Sequence, residues 1–179
     1  MIVLESERLL FRDHEEADLN AYCEMEADPE VRRHVGGAPR SREAAESRFR
    51  KGLQRPESNR LWMWGTVYKP EGRYIGRCGV HPHFGPDGAM IAGEGALGFY
   101  LSRAYWGKGL ATEAGRALVN FGFGELGLSR IVAAVQVGND ASVRVMEKLG
   151  FVLVRTETGE CRSFYHFELR PDALRLSAP

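Results

Sequence analysis

The chain of 179 residues carries 24 Lys plus Arg against 24 Asp plus Glu, and 44% of it is apolar and 27% charged. That composition describes one globular domain, residues 1–179, with enough apolar side chains for a core, and it excludes a disordered or fibrous chain. Zero net charge argues against phosphate-driven binding to nucleic acid or to a membrane surface, and the longest apolar run, Gly95 to Leu101, is far shorter than the roughly 20 residues that span a bilayer.

In chain order, Ser6 to Arg12 reads as a first strand. Asp13-His14-Glu15-Glu16 then opens a helix in which Leu19, Tyr22 and Cys23 share a face. Asp28-Pro29 breaks it. After Gly36-Gly37, Ser41 caps a second helix with Ala45, Phe49 and Leu53 at a spacing of four. Three strands follow, Leu61 to Tyr68, Tyr74 to Val80 and Ala96 to Leu101, the first two joined by the turn-forming Lys69-Pro70-Glu71-Gly72-Arg73. Leu110, Ala114, Ala117, Leu118 and Phe121 mark a helical stripe, and the β-branched run Arg130 to Val137 reads as a buried strand. A helix from Asp140 to Leu149 stops at Gly150, and the strands Phe151 to Glu157 and Phe164 to Leu169 end the pattern. The order βααβββαβαββ predicts an α/β fold with a mixed, mostly antiparallel sheet and helices on both faces.

The segment Ala104-Tyr105-Trp106-Gly107-Lys108-Gly109-Leu110-Ala111-Thr112-Glu113 joins a strand to a helix start. The first N–H groups of a helix lack intrahelical partners, and the macrodipole adds positive character. Glycines there let a pyrophosphate approach the backbone, and Arg103 and Lys108 add charge. The alternative is that Gly107 and Gly109 only permit a tight turn. Gly93-Glu94-Gly95-Ala96-Leu97-Gly98 has the letters of a dinucleotide-binding loop, but it runs into a strand instead of opening a helix. A Walker A loop is excluded because Gly107-Lys108 is followed by Gly109.

The second informative segment is Val137-Gly138-Asn139-Asp140-Ala141-Ser142, leading through Lys148-Leu149-Gly150-Phe151. Together with Tyr105-Trp106-Gly107-Lys108-Gly109-Leu110-Ala111-Thr112-Glu113-Ala114 it resembles the GNAT superfamily of acyl-coenzyme A dependent N-acyltransferases, in the branch of the Rim-type ribosomal-protein N-acetyltransferases. Ser6-Glu7-Arg8-Leu9-Leu10-Phe11-Arg12 and Asp28-Pro29-Glu30-Val31 are similar to that branch's N-terminal half. The resemblance implies that Phe99, Tyr100 and Leu101 lie on a strand splayed from the parallel strand at residues 130–137, with pantetheine in the gap. Trp106, Gly107, Lys108, Gly109, Leu110, Ala111 and Thr112 would then cradle the pyrophosphate. Asn139 matches the position that bonds the pantetheine, Ser142 the Rim-type candidate for general acid, and Lys148 a further phosphate partner.

The implied reaction is direct attack of an amine, at a protein N-terminus or on a small molecule, on the thioester of acetyl-CoA in a ternary complex. Backbone N–H groups near Tyr100 or Leu101 would hold the oxyanion, and Ser142 would assist departure of a thiolate that already leaves tolerably. For Asn139 and Ser142 taken alone, helix capping is the alternative. Two positions depart from the family. Met146 stands where many members carry a tyrosine acid, and Ala96 stands where Rim-type relatives carry a glutamate. Glu94, two residues earlier on the same face, becomes the candidate base, with a surface glutamate as the alternative. The main rival to an enzyme is a non-catalytic acyl-CoA sensor or partner-binding module.

His81-Pro82-His83 suggests two metal ligands, but no third lies near in sequence and the family needs none, so the expectation is no metal and a loop or substrate-lining role. Trp62, Trp64 and Tyr74 read as sheet packing, with one of them facing the acceptor. Cys23, Cys78 and Cys161 fit no disulfide framework, and the N-terminus lacks a signal-peptide pattern, so the expected location is the cytoplasm. A homodimer is a further expectation from relatives. The zero charge is also unevenly distributed. Residues 1–30 hold ten acids and two bases, a local −8, and residues 31–60 hold nine bases and three acids, a local +6. In the resembling fold these blocks flank the acceptor entrance, where Asp28 and Glu30 would attract a protonated amine.

Overall fold

A computed structural model, which describes residues 1–54 and 59–172, arranges the periodic segments as one eight-stranded sheet with helices on both faces. The strands β1 (Ile2–Glu5) and β2 (Leu9–Arg12) are followed by helices α1 (Leu19–Ala27), α2 (Pro29–Arg32) and α3 (Arg42–Leu53). Then come β3 (Trp62–Tyr68), β4 (Arg73–Phe84), β5 (Met90–Leu101), α4 (Leu110–Gly124), β6 (Arg130–Gln136), α5 (Asp140–Lys148), β7 (Val152–Glu157) and β8 (Phe164–Leu169). Across the sheet the order is β1-β2-β3-β4-β5-β6-β8-β7, and every adjacent pair is antiparallel except β5 and β6.

Two short elements add to the expected order. β1 is an edge strand in which Ile2 is exposed while Val3 and Leu4 are both half-buried against the larger core, so Ile2-Val3-Leu4 shows no alternation to read. α2 is a single turn: Pro29 sits at its start, where its missing N–H costs nothing, and the Asp28 carboxylate accepts from the Glu30 N–H at 2.8 Å. Asp28-Pro29 therefore ends one helix and begins the next. The start of α1 also lies later than Asp13. A 3-10 turn at Glu16–Asp18 precedes it, and Asp18, buried, accepts from the Glu15 N–H at 2.9 Å and from Arg12 at 2.7 and 2.8 Å. Ser41 caps α3 as expected, accepting from the Ala44 N–H at 3.3 Å.

The larger core lies under α4 and α5, where Leu110, Ala114 and Leu118 of α4 and Met146 of α5 meet Leu97 and Leu101 of β5 and Ile131 of β6. On the opposite face Tyr22, Cys23, Ala45 and Phe49 from α1 and α3 pack on Tyr74, with Tyr100 alongside. No residue of β6 belongs to that second layer. β6 is consequently not buried on both faces as its composition suggests: Ile131, Ala133 and Val135 are buried, and Ala134 between them is exposed. The feature that sets up a site is the pairing of β5. It meets β6 only at Glu94↔Arg130, Gly95↔Ile131 and Ala96↔Val132, whereas on its other side β4 holds it as far as Leu101.

Candidate active site

Beyond Ala96 the two parallel strands diverge, and a cleft of about 520 Å³ opens between them toward the N-termini of α4 and α5. Its wall on β5 is Phe99, Tyr100 and Leu101. Trp106, Gly107, Gly109, Leu110, Ala111 and Thr112 form the floor at α4, and Asn139, Ser142 and Lys148 line it from α5. These are residues the sequence nominated, brought together from three separate stretches.

Backbone direction decides which polar groups the splayed strand offers. Successive residues of a strand turn their N–H and C=O to opposite neighbours. Ser102 donates to Ile75 at 2.8 Å, and a side chain at Gly76 would run into the Tyr100 carbonyl, so the even-numbered residues of β5 face β4. The Gly93 carbonyl accepts from the Ser129 N–H at 2.8 Å, so the odd-numbered ones face β6. The groups left facing the gap belong to Phe99 and Leu101, not Tyr100. The Leu101 carbonyl is already taken by the Trp106 indole N–H at 2.7 Å, which leaves its N–H as a donor. Gly109 is the N-cap of α4 at φ 77°, a left-handed conformation that suits glycine, and no side chain caps the helix there. Gly107, at φ 73°, has no atom within 4 Å of where a Cβ would stand. An uncapped helix start under open glycines fits a pyrophosphate, and the cleft fits the arm attached to it.

Asn139 caps α5, its Oδ1 accepting from the Ser142 backbone N–H at 3.2 Å. Capping is thus real for Asn139, while Ser142 contributes only its backbone to it. Ser142 itself lines the cleft. Met146, one turn on, is buried in the core and does not line it.

Lys108, Arg103 and Glu94 are not among the lining residues, although Lys108 borders the cleft through Tyr105. The Lys108 ammonium sits 5.0 Å from the Tyr105 ring centroid, and Arg103 is exposed; neither lines the cleft. Glu94 is in the paired part of β5, accepting from Arg130 at 2.7 Å and bonded to His83 at 2.8 Å. The bond from Arg130 outweighs partial burial and, with that from His83, holds its carboxyl below the ordinary range. A carboxylate paired with Arg130 and His83 and lying outside the cleft is poorly placed to act as a base. The glycine pattern from Gly93 to Gly98 lies wholly inside β5, which confirms that it opens no helix.

Basic groups at the cleft come instead from Arg33, after α2, and from Arg144 and Lys148, one turn apart on α5. Arg144 was readable as the i−4 neighbour of Lys148. Arg8 was not. It donates to the Lys108 carbonyl at 3.1 Å and to Glu113 at 2.7 Å, bracing the glycine turn from behind. His81 and His83 lie in β4 rather than a loop. Trp64 is in the large core and Tyr74 in the smaller one, and Trp62 borders a second cavity with His81.

Comparison with known proteins agrees with this geometry. Residues 8–152 match the model of the acetyltransferase (GNAT) domain. An uncharacterised N-acetyltransferase, p20, of Bacillus licheniformis is 31% identical over 159 residues, which cover 84% of this chain and 83% of that protein. Among solved structures, a GNAT-family acetyltransferase of Bacillus anthracis superposes with a TM-score of 0.82 at 25% identity, covering 96% of this chain and 99% of that one. The fold is shared as well by a spermidine N-acetyltransferase of Vibrio cholerae solved with CoA and spermine, with a TM-score of 0.75, 17% identity, and coverage of 94% and 98%. The chain belongs to the GNAT family of acetyltransferases, enzymes that carry an acetyl group from acetyl-CoA to an amine.

Proposed function

We propose that this protein acetylates the primary amine of a small molecule or a peptide N-terminus by direct attack within a ternary complex with acetyl-CoA. The observation that carries the reading is the divergence of β5 from β6 after Ala96, which opens onto the bare start of α4 on one side and Ser142 on the other. The cosubstrate supplies an activated acetyl thioester, and the chain's own groups position and discharge it. Phosphates meet the N–H groups of residues 110–112 and the cations Arg144 and Lys148. The pantetheine arm runs along Phe99 and Leu101, with Asn139 opposite. The Leu101 N–H faces the gap and is the donor for the charge that builds on the carbonyl oxygen. The Ser142 hydroxyl gives a proton to the departing thiolate.

Glu94, held by Arg130 and His83, takes no part as a base. The reaction proceeds with the neutral fraction of the amine, so the expected rate rises with pH through the acceptor's own pKa. The test is turnover of acetyl-CoA, read as free thiol, against amino acids, polyamines, peptides with free N-termini and amine antibiotics. Thiol release with at least one class is the expected result. Tight coenzyme binding without release across the panel would instead establish a non-catalytic acyl-CoA sensor.

A further inference from the structure

A second cavity, of about 330 Å³, lies between α3 and the β3–β4 surface. Tyr22, Phe49, Trp62 and Met63 give it apolar walls, and Arg48, Lys51 and Arg77 give it three cations. No Asp or Glu stands among its described lining residues. Its histidines add no charge: burial lowers the pKa of both His14 and His81, keeping the rings neutral. His81 Nδ1 faces the Pro82 carbonyl at 3.1 Å, and since a carbonyl only accepts, Nδ1 carries the proton and Nε2 is left as an acceptor.

The charge behind this wall is out of balance. Glu26, buried to 3% exposure, takes hydrogen bonds from Arg77 at 2.7 Å, Arg40 at 2.9 Å and Arg32 at 3.1 Å. None of these guanidinium groups pairs with another carboxylate among the described residues. Arg77 also donates to the Tyr22 hydroxyl at 2.9 Å, but its Nε is buried without a partner. One carboxylate thus serves two buried guanidinium groups, Arg32, which also bonds the Ala38 and Gly36 carbonyls, and Arg77, and a third, Arg40, that is 31% exposed; burial of the excess charge is unfavourable unless a counter-ion arrives.

The cavity shares a wall with the cleft. Arg77 opposes Tyr100 in the β4–β5 register, its guanidinium carbon lies 4.8 Å from the Tyr100 ring centroid, and Tyr100 lines the cleft. We propose that this cavity is the acceptor subsite and that it selects an amine which also bears a carboxylate on an apolar body. The carboxylate balances the surplus guanidinium charge, the body packs on Tyr22, Phe49 and Trp62, and the amine finds His81 Nε2. Polycationic acceptors are repelled. The assignment rests on the acetyl-transfer reading above, but binding tests it independently.

Three matched pairs share the same apolar body and differ in the carboxylate, and with it in the pKa of the amine: phenylalanine and phenethylamine, tyrosine and tyramine, leucine and isopentylamine. With the whole protein and saturating acetyl-CoA, kcat/KM from thiol release, divided by the neutral fraction of each amine at the assay pH, is expected to be about tenfold or more higher for the amino acid of a pair, the effect of one good charged contact, and lowest for spermidine. Calorimetric titration of the same amino acids in the presence of CoA supplies a readout without turnover. The double variant Arg48→Glu/Lys51→Glu, at exposed positions of α3, should weaken that binding about tenfold or more with CoA affinity unchanged, and should lower the melting temperature only by the small helix-dipole cost of an acid in the last turn. Amino-acid binding that responds to charge reversal, without any turnover, would uphold the subsite and overturn acetyl transfer. Equal or higher kcat/KM for the decarboxylated partners, or amino-acid binding that is absent or indifferent to charge reversal, would overturn the subsite and leave acetyl transfer standing.

Discussion

Asn139 and Ser142 stand three residues apart at one helix start, yet the structure separates what their removal should do. Asn139 supplies the capping oxygen and Ser142 only a backbone N–H to it. Ser142→Ala therefore leaves the cap intact, and kcat is expected to fall about 10- to 100-fold, the low end for a general acid because a thiolate leaves readily, with no change in Tm. Asn139→Ala should cost about 1 kcal/mol of stability as well. An unchanged kcat with a raised KM for Ser142→Ala would move that residue to binding. Gly107 offers a second separation. A methyl group there meets nothing in the free protein, so Gly107→Ala should cost only about 1 kcal/mol for its left-handed φ, whereas bound coenzyme must meet the methyl. Calorimetry is expected to show CoA affinity down by more than about tenfold; an unchanged affinity would remove the turn from the phosphate site. These residues were legible in the sequence because each cluster is contiguous. For Lys108, adjacency to two glycines fixes the backbone but not the side chain, which lies on Tyr105 at the border of the cleft. For Glu94, the partner Arg130 arrives from a strand 36 residues on, beyond the reach of strand parity.

At the scale of elements, the glycine turn holds its shape because the first turn of α4 is tied to the β1–β2 hairpin. Glu113 accepts from the Ser6 hydroxyl, the Arg8 N–H and the Arg8 guanidinium, each at 2.7 Å. Burial alone would raise the Glu113 pKa, but these three donors and the Arg8 charge outweigh it, and the folded value lies below the ordinary 4.5. A carboxyl depressed by folding stabilises the native state fully above its unfolded pKa, and that contribution fades as pH falls through the lower folded value. The stability gap between the native protein and Glu113→Gln, from urea unfolding, is therefore expected to be constant at neutral pH and to narrow progressively below about pH 4.5. A gap that widens on acidification would show that Glu113 is not held as an anion. The variant should also weaken CoA binding, because Arg8 loses the partner that aims it at the Lys108 carbonyl. Most elements were readable from local periodicity, and α3, α5 and β8 lie close to where capping and alternation place them. What escaped is non-local. β1 takes its conformation from pairing with β2, and the half-open face of β6 follows from where α1 and α3 end their coverage, which no window of sequence contains.

Across the whole molecule, the two charged blocks near the N-terminus pair with each other, and Glu30 also lines the cleft. Glu30 pairs with Arg33 and Glu16 with Arg50, and Glu26 gathers Arg32 and Arg40, all across the boundary between the −8 and +6 stretches. Asp28 is spent on the start of α2. The members of this network differ in weight. The Glu30–Arg33 pair is largely exposed, 44% and 64% for the two side chains, so Glu30→Gln should change stability by no more than about 1 kcal/mol. Glu26 is buried with Arg32 at 3% exposure and Arg77 at 12%. Replacing its carboxylate by an amide keeps the volume but leaves three guanidinium groups without their shared anion, which should cost about 3 to 5 kcal/mol. Against a domain's total of roughly 5 to 15 kcal/mol, that is a loss urea titration detects directly. A Glu26→Gln variant as stable as the native protein would mean that the three cations are hydrated or displaced, and the excess charge behind the second cavity would vanish with them. A large loss, partly recovered on adding phenylalanine but not phenethylamine, would show that a ligand's carboxylate stands in for the one removed.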